Sequence, residues 1–168
     1  MTFYDEIAKL KNILRKGWII RNIGDHARVE SDAEHTFSMI MLALEVMQKK
    51  DLKLDQLKVI KMIAYHELCE IDAGDTTPFD HVSKEEKYKK ELACVERLAK
   101  EYKMPEIKTL WLEFEENKTL EAQFVKKIDK YDAVMQSKVY SQMLKDDELF
   151  NEFHGNCKFS QEFDELEL

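Results

Sequence analysis

The stretch SDAEHTFSMIMLALEVM, residues 31–47, determines the fold class more clearly than any other part of the chain. Ser31 and Glu34 have the spacing of a capping box, in which each side chain satisfies a free backbone N–H at the start of a helix. The residues that follow, FSMIMLALEVM, are apolar on nearly every side, which is typical of a helix at the centre of a core. The pattern predicts a buried central helix from Ser31 to about Lys49.

Helical periodicity recurs on both sides of this segment. Apolar residues three and four positions apart predict further helices over residues 2–14, 55–71, 83–102, 105–116 and 119–144. Residues 16–30 have no clean period and are predicted to form an ordered connection. In the longest helix the expected core stripe is Leu120, Phe124, Ile128, Tyr131 and Met135. The sequence therefore predicts an all-α bundle of about six or more helices, forming a single domain over residues 1–168.

The composition supports a helical protein and excludes several functions. Only 4 Gly and 2 Pro occur among the 168 residues, which disfavours an all-β sandwich or a glycine-looped nucleotide fold. The chain carries 26 Lys and Arg against 34 Asp and Glu, a net charge of −8. This charge argues against a nucleic acid polymer or an anionic membrane as partner. A small phosphate-bearing ligand would need a local positive site or a metal.

The cysteines and the apolar runs indicate the compartment. Cys69, Cys94 and Cys157 form an odd set without CxxC spacing, and the first residues, MTFYDEIAKLK, contain no apolar leader. No apolar run approaches the 20 or so residues that cross a bilayer. The sequence therefore predicts a reduced cytoplasmic protein.

Three helices carry polar residues where a core is expected. His35 lies in the first turn of the central helix, His66, Glu67 and Glu70 end the next apolar helix, and Asp129 borders the stripe of the longest helix. Such residues need a reason, because burying them unpaired costs about 1–3 kcal/mol each. Two histidines and two carboxylates from three helices can form a divalent metal site, since imidazole and carboxylate are ligands that such ions accept.

The alternative interpretation is structural. A single histidine on an apolar helix is usually a satisfied core or boundary residue, and Asp129 could be a solvated charge beside Lys127 and Lys130. HELCE is also similar to the start of a zinc-protease helix, but the position four after His66 holds Glu70 where that helix needs a second histidine. Spacing alone leaves the metal site and the structural role open.

Four segments, in order along the chain, carry a resemblance to a known family: LRKGWIIRN at 14–22, RVESDAEHTF at 28–37, HELCEIDAGDTTPFD at 66–80 and FVKKIDKYDAV at 124–134. Together they resemble the HD-domain phosphohydrolases, and within them the small single-domain 5′-deoxynucleotidases. The resemblance covers residues 10–135 and implies an HD-domain helical bundle.

The resemblance implies one divalent cation, which could be Mn, Co, Mg, Zn, Fe or Ni. Its implied ligands are His35, His66, Glu67 and Asp129. Glu67 is a departure, because the family has an aspartate there and this side chain is one methylene longer. The longer carboxylate could bind after a small shift, change the metal preference, or fail to reach the cation.

The resemblance also implies the residues that act on the substrate. Glu70 matches the acid that positions or deprotonates the attacking water, and Asp75 matches a residue that contacts the substrate sugar and the water. Arg15 matches a phosphate-orienting arginine, and Trp18 would flank the nucleotide. The alternatives are that Arg15 caps a helix C-terminus and that Trp18 is a core residue.

A charge argument independently favours phosphate binding near Arg15. Between residues 11 and 28 there are five cations and one acid, Asp25, so this stretch carries 5 − 1 = +4 within a chain of −8. Arginine can bind a phosphate in bidentate fashion, so the stretch is a candidate anion-binding wall. The five cations are Lys11, Arg15, Lys16, Arg21 and Arg28.

The function predicted from these observations is hydrolysis of a deoxyribonucleoside 5′-monophosphate to a nucleoside and phosphate. Apolar helix faces and the resemblance also suggest a homodimer. One alternative is an HD phosphohydrolase that acts on another small phosphate mono- or diester. The other is a non-catalytic helical interaction module whose His–Glu pair no longer binds metal.

Overall fold

Every regular element is helical in the computed structural model, which describes residues 1–77, 80 and 82–160. The all-α prediction is therefore confirmed. Short 3₁₀ segments at Ala8–Lys11, Ile23–Asp25 and Glu67–Cys69 lie between the α-helices. The α-helices are α1 Phe3–Ile7, α2 Lys16–Ile19, α3 Asp32–Lys49, α4 Gln56–His66, α5 Glu70–Ala73, α6 Lys84–Glu101, α7 Glu106–Glu116, α8 Leu120–Leu144 and α9 Glu148–Asn156.

Side-chain caps define where the long helices begin. Ser31 and Ser83 each form a capping box with the glutamate three residues later, and they start α3 and α6. Thr119 accepts a hydrogen bond from the backbone of Ala122 and starts α8. Each cap satisfies backbone N–H groups that have no partner within the helix. The predicted starts of these three helices are confirmed.

Three predicted segments differ from the structure. The predicted helix over 2–14 is α-helical only over Phe3–Ile7 and continues as the 3₁₀ segment Ala8–Lys11. The predicted helix over 55–71 is interrupted after His66 by the 3₁₀ turn Glu67–Cys69. The tighter turn advances each side chain by about 120° instead of 100°, so it changes the directions in which the side chains around it project. Residues 16–30, predicted as a connection, contain helix α2, whose first N–H, on Lys16, donates to Asp75 Oδ2 at 2.6 Å. Asp75 lies 59 residues away, so local periodicity could not reveal this start.

The main core lies where α3, α4, α7 and α8 pack together. Met39, Val59, Ile63, Val125 and Ile128 contribute side chains that are completely buried. A second cluster joins α6 and α7 to the 3₁₀ turn after α4, and a third packs Trp18 against α8. These contacts fix α3, α4 and α8 relative to one another, and these three helices carry the histidines and acids of the candidate metal site.

The central helix is not buried on all sides, so that part of the prediction is wrong. Phe37, Met41 and Leu44 are 66%, 52% and 40% exposed and form an apolar outer face of α3. Leu120, predicted in the core stripe, is 69% exposed. It lies in the first turn of α8 and lines a surface groove, while Ala122, two positions later, is completely buried in the main core.

Candidate active site

Two buried histidines face each other across α3 and α4. Their ring centroids are 5.6 Å apart, and the residues are 1% and 5% exposed. His35 Nδ1 lies 2.7 Å from Asp132 Oδ2, and His66 Nδ1 lies 2.6 Å from the carbonyl oxygen of Ile63. Both Nε2 atoms are buried without a hydrogen-bond partner. Each ring is thus held at Nδ1 and presents Nε2 to a site between the two helices.

Two carboxylates meet these nitrogens. Glu67 Oε1 is 3.3 Å from His66 Nε2 and 3.6 Å from His35 Nε2, and Asp129 Oδ1 is 3.3 Å from His35 Nε2. Two ligands about 2.0–2.2 Å from one ion lie about 3–3.6 Å apart when they are adjacent in its coordination sphere. The structure therefore brings His35, His66 and Glu67 together at separations that fit one cation, and the longer Glu67 side chain reaches both histidines. Asp129 lies beside this group, where it approaches His35.

The charges of this cluster also favour a cation. Burial lowers the pKa of His35, and so does Arg15, but the nearby carboxylates of Asp129 and Asp132 raise it to about 10. Burial raises the pKa of Asp129, yet its interaction with the His35 imidazole, whose Nε2 is 3.3 Å away, brings it down to about 2. Ligation requires a neutral imidazole, so a metal ion would displace this proton and take over the compensation of the carboxylates.

Arg15 lies at the edge of the cluster between two acids. Its Nη1 donates to Glu67 Oε1 at 2.8 Å and lies 3.9 Å from Asp32 Oδ1. Asp32 is completely buried, and neither of its oxygens has a hydrogen-bond partner. Burial, and then the charge of Glu67, raise the pKa of Asp32 to about 8. Sequence reasoning missed Asp32, which in the capping box SDAE looks like an ordinary first-turn acid.

Glu70 is a buried acid beside the same cluster. It is 4% exposed, its Oε2 has no hydrogen-bond partner, and Lys87 Nζ lies 3.9 Å from its Oε1. Burial, and then the charge of Glu67, raise the pKa of Glu70 to about 9. Positive charge nearby would lower this value, because it favours the ionised carboxylate.

A cavity of about 500 Å³ opens beside this cluster. Six of the predicted site residues line it: Arg15, His66, Glu67, Glu70, Asp75 and Asp129. Its other wall holds residues that sequence reasoning missed, three lysines from α6 and α8 and three aromatic residues from α6 and α7. They are Lys84, Lys87, Lys126, Tyr88, Trp111 and Phe114. Tyr88 lies four residues before Leu92, the spacing of ordinary core residues, and the lysines resemble those of any solvated helix face.

The predicted anion-binding wall is mostly dispersed. Among the five cations of residues 11–28, Arg15 lines the cavity, whereas the other four pair with groups elsewhere. Arg21 pairs with Glu152, Arg28 with Glu34, Lys16 with Asp80, and Lys11 donates to the Tyr4 hydroxyl.

Trp18 lies largely in the third cluster and is 3% exposed. Its Nε1 donates to Glu30 Oε1 at 2.7 Å, and its ring packs on Tyr140 and Phe153 with centroid distances of 5.3 and 4.8 Å. Trp18 also lines a smaller cavity of about 190 Å³, which it shares with Arg15 and Asp75. Any contact with a ligand would therefore involve the edge of the residue that borders this cavity.

This combination of an all-α bundle with a buried histidine and carboxylate centre defines the class of protein. The chain belongs to the HD-domain family, whose model matches residues 7–167.

Its relatives include 5′-deoxynucleotidases. Those of Xenopus laevis and Dictyostelium discoideum are 31% and 34% identical, over 93% and 83% of this chain and 76% of each relative. That of Schizosaccharomyces pombe is 31% identical over 95% of this chain and 81% of its own.

Solved structures share the fold of this chain. A conserved hypothetical protein from Pyrococcus furiosus superposes with a TM-score of 0.73 at 29% identity, covering 96% of this chain and 93% of its own. A predicted metal-dependent phosphohydrolase from Magnetospirillum magnetotacticum gives 0.67 at 30% identity, covering 80% and 68%. Among the described residues, none of the helices is both long and apolar enough to cross a membrane.

Proposed function

We propose that this chain is a metal-dependent phosphohydrolase that removes the 5′-phosphate from deoxyribonucleoside 5′-monophosphates. The observation that carries the proposal is the convergence of two unpartnered Nε2 atoms and two carboxylates beside a cavity lined by Arg15. The relatives named 5′-deoxynucleotidase support the choice of substrate. A non-catalytic module with a degenerate site is less consistent with a Glu67 that still reaches both histidines.

His35, His66, Glu67 and Asp129 would hold the cation, which is proposed to be Mn, Co, Mg, Zn, Fe or Ni. A divalent cation supplies positive charge that polarises a phosphoryl oxygen and makes a water molecule more acidic. Arg15 would orient the phosphate. Its guanidinium has five N–H donors, so the hydrogen bond to Glu67 leaves others available for phosphate oxygens.

Glu70 is proposed to take the proton of the attacking water. The water oxygen forms a bond to phosphorus while the bond from phosphorus to O5′ breaks. The proton that Glu70 took from the water would pass to O5′, which leaves as the nucleoside hydroxyl. Lys87 already offsets part of the effect of burial, and positive charge from a bound cation would lower the pKa of Glu70 further, so that it is ionised and can accept that proton. The products are a nucleoside and inorganic phosphate.

Asp75 and Trp18 would bound the substrate on the side of the loop after α5. One oxygen of Asp75, Oδ2, accepts the N–H of Lys16, which fixes the carboxylate and leaves Oδ1 for a sugar hydroxyl or the water. Trp18 borders the adjoining small cavity. The two residues would therefore contribute to sugar and nucleoside recognition.

We further propose that the chain acts as a cytoplasmic homodimer. Free thiols on Cys69, Cys94 and Cys157 suit a reducing compartment. The exposed apolar face of α3 suits association with a second copy of the chain, because a two-fold axis would bury the same face on both subunits.

Phosphate release tests the proposed function directly. Chelator-stripped protein is supplied with Mn²⁺, Co²⁺ or Mg²⁺ and assayed on deoxyribonucleoside and ribonucleoside 5′-monophosphates, 3′-monophosphates and small phosphodiesters. We expect metal-dependent release, fastest from the deoxyribonucleoside 5′-monophosphates. No release under any ion would contradict the proposal, whereas faster release from another ester would reassign the substrate.

Glu70→Gln tests the role of the proposed base. The amide keeps the size of the side chain but cannot take a proton, so we expect unchanged Co²⁺ content and a turnover lowered about 10²- to 10⁴-fold. Glu96→Gln, on the outer surface of α6 where Glu96 pairs with Lys108, is the matched control and should keep full turnover. A Glu70→Gln variant with wild-type turnover would exclude Glu70 as the base.

A further inference from the structure

Two acids of α8 contact opposite sides of the same imidazole. Asp129 Oδ1 lies 3.3 Å from His35 Nε2, and Asp132 Oδ2 lies 2.7 Å from His35 Nδ1. Residues three apart share a helix face, which allows one helix to contact both nitrogens of a ring that another helix supplies. His35 is thereby oriented by α8 although it belongs to α3.

The hydrogen bond at Nδ1 determines whether Nε2 has a lone pair available for a metal ion. When Nδ1–H donates to a carboxylate, the neutral ring carries its free lone pair on Nε2, on the side away from that carboxylate. For His66 the same contact is made by the carbonyl oxygen of Ile63, one turn earlier in α4. The two histidines therefore differ in one respect, since His35 depends on a side chain that can be substituted and His66 depends on the backbone.

A layer of buried groups lies behind Asp132. Donor and acceptor atoms of Glu30, His35 and Asp132 lie within 4.8 Å of one another. Glu30 Oε1 accepts from Trp18 Nε1 at 2.7 Å, and the Glu30 N–H donates to the Tyr140 hydroxyl at 2.9 Å. Asp132 itself is 4% exposed. These contacts tie the segment before α3 to α8 and restrict the space in which Asp132 can move.

We propose that Asp132 is a positioning residue that holds His35 with its Nε2 directed at the cation, without contacting the cation or the substrate itself. The inference rests on the metal centre of the proposed function. Asp132 would therefore contribute to metal affinity, whereas acids on the outer face of α8 would not.

The first experiment measures Co²⁺ affinity of the metal-stripped chain. Removing an acceptor behind a ligating histidine typically costs about 10- to 100-fold in metal affinity, and we expect that loss for Asp132→Ala. Asp132→Asn retains an oxygen acceptor, so it should recover most of the affinity. Glu121→Gln, which removes a charge at the other end of α8 where Glu121 pairs with Lys58, is the control and should bind as the wild type does.

The second experiment observes the imidazole protons in the Zn²⁺-loaded chain by NMR with ¹⁵N-labelled histidine. We expect protected Nδ1–H signals from both His35 and His66 in the wild type. Asp132→Ala should lose the His35 signal and keep the His66 signal, which serves as an internal control for folding and metal loading.

The outcomes separate this inference from the proposed function. A wild-type chain that binds no Co²⁺ would overturn the metal centre, and the inference with it. A wild type that binds Co²⁺ while both Asp132 variants bind it equally well would overturn the inference alone. If Asp132→Ala does not fold, Asp132→Asn decides: an affinity lowered by less than tenfold, with the His35 signal shifted and the His66 signal unchanged, supports the role. Wild-type affinity with an unshifted His35 signal contradicts it.

Discussion

Glu67 contacts both the candidate metal ligands and the candidate phosphate-binding arginine. Its Oε1 lies 3.3 Å from His66 Nε2, 3.6 Å from His35 Nε2 and 2.8 Å from Arg15 Nη1. Burial raises its pKa, but the charges of His66 and Arg15 hold that pKa well below its usual range, so the carboxylate is ionised. One oxygen atom therefore connects the candidate metal ligands with the candidate phosphate-binding arginine.

Shortening this side chain tests whether the glutamate is fitted to the site. Glu67→Asp withdraws the carboxylate by one methylene, about 1.5 Å, from both histidines and from Arg15. We expect Co²⁺ affinity of the metal-stripped chain, measured by titration calorimetry, to fall about tenfold. Glu96→Asp is the control on the outer surface of α6. Tighter Co²⁺ binding by Glu67→Asp would show instead that the native glutamate is a compromise.

Sequence reasoning found the residues that a motif marks and missed those that packing selects. His35, His66, Glu67 and Asp129 follow from ordered segments with helical spacing. The structure brings the first three together and places Asp129 3.3 Å from His35 Nε2. Asp132 lies on α8 with Asp129, and the cavity lysines lie on α6 and α8. None of these residues carries a local signal. Which face of α6 or α8 turns towards the cavity is set by contacts between helices far apart in sequence.

At the scale of the helices, one arginine joins three elements beside the site. Arg97 of α6 contacts Glu6 of α1 at 3.1 Å and Asp72 of α5 at 2.8 Å. The Glu6 side chain is only 3% exposed. Helix α5 also carries Glu70, so this contact fixes the helix on which the proposed base lies.

Removing this arginine should destabilise the fold in a pH-dependent way. Arg97→Met leaves the Glu6 carboxylate buried without its main partner, and we expect the free energy of unfolding to fall by about 2 kcal/mol. Breaking a fully buried ion pair costs about 3–5 kcal/mol. The loss is smaller here because Arg97 is 34% exposed and water screens its charge. Burial raises the pKa values of Glu6 and Asp72, but hydrogen bonds from Arg97 outweigh it, and both lie below their ordinary values. The ion pairs of Arg97 with these two acids therefore stabilise the fold fully at a pH above about 4, the pKa of these carboxyls in the unfolded chain. This stabilisation is lost as the pH falls through the lower pKa values of the folded state.

Urea unfolding at pH 7 and pH 3 measures this effect. The difference in unfolding free energy between wild type and Arg97→Met should be largest at pH 7 and smaller at pH 3. Lys108→Met removes a cation from a surface pair with Glu96 and should cost less than about 1 kcal/mol at either pH. A difference that grows on acidification would contradict the assignment.

Helix boundaries, like the site residues, include some that the sequence predicts and some that it does not. The starts of α3, α6 and α8 depend on side chains within the first turn, at Ser31, Ser83 and Thr119, so the sequence predicts them. The start of α2 depends on Asp75, and the break after His66 occurs among residues that are buried against other helices. Both depend on tertiary contacts that no local pattern reports.

At the scale of the molecule, charged side chains gather around the cavity, whereas exposed apolar side chains gather on a separate face. The chain carries a net charge of −8, yet Arg15, Lys84, Lys87 and Lys126 line one cavity. Six acids line the same cavity, so a small anion would need Arg15 together with a bound cation, and the surplus of acids agrees with the argument against polymeric nucleic acid. The exposed apolar residues of α3 lie on a separate face, where Phe37, Met41 and Leu44 line a groove with Val139 of α8.

A charge placed on that face should separate the proposed dimer. Met41 is 52% exposed, so glutamate there is tolerated in a single subunit but would be buried against its own copy across a two-fold axis. Light scattering after size exclusion should give about twice the 20.0 kDa chain mass for the wild type and the single-chain mass for Met41→Glu. Leu57→Glu is the matched control, because Leu57 is 64% exposed on α4 and lies outside this groove. A wild type that is monomeric at micromolar concentration, or a Met41→Glu variant of unchanged dimeric mass, would show that this face does not join two copies.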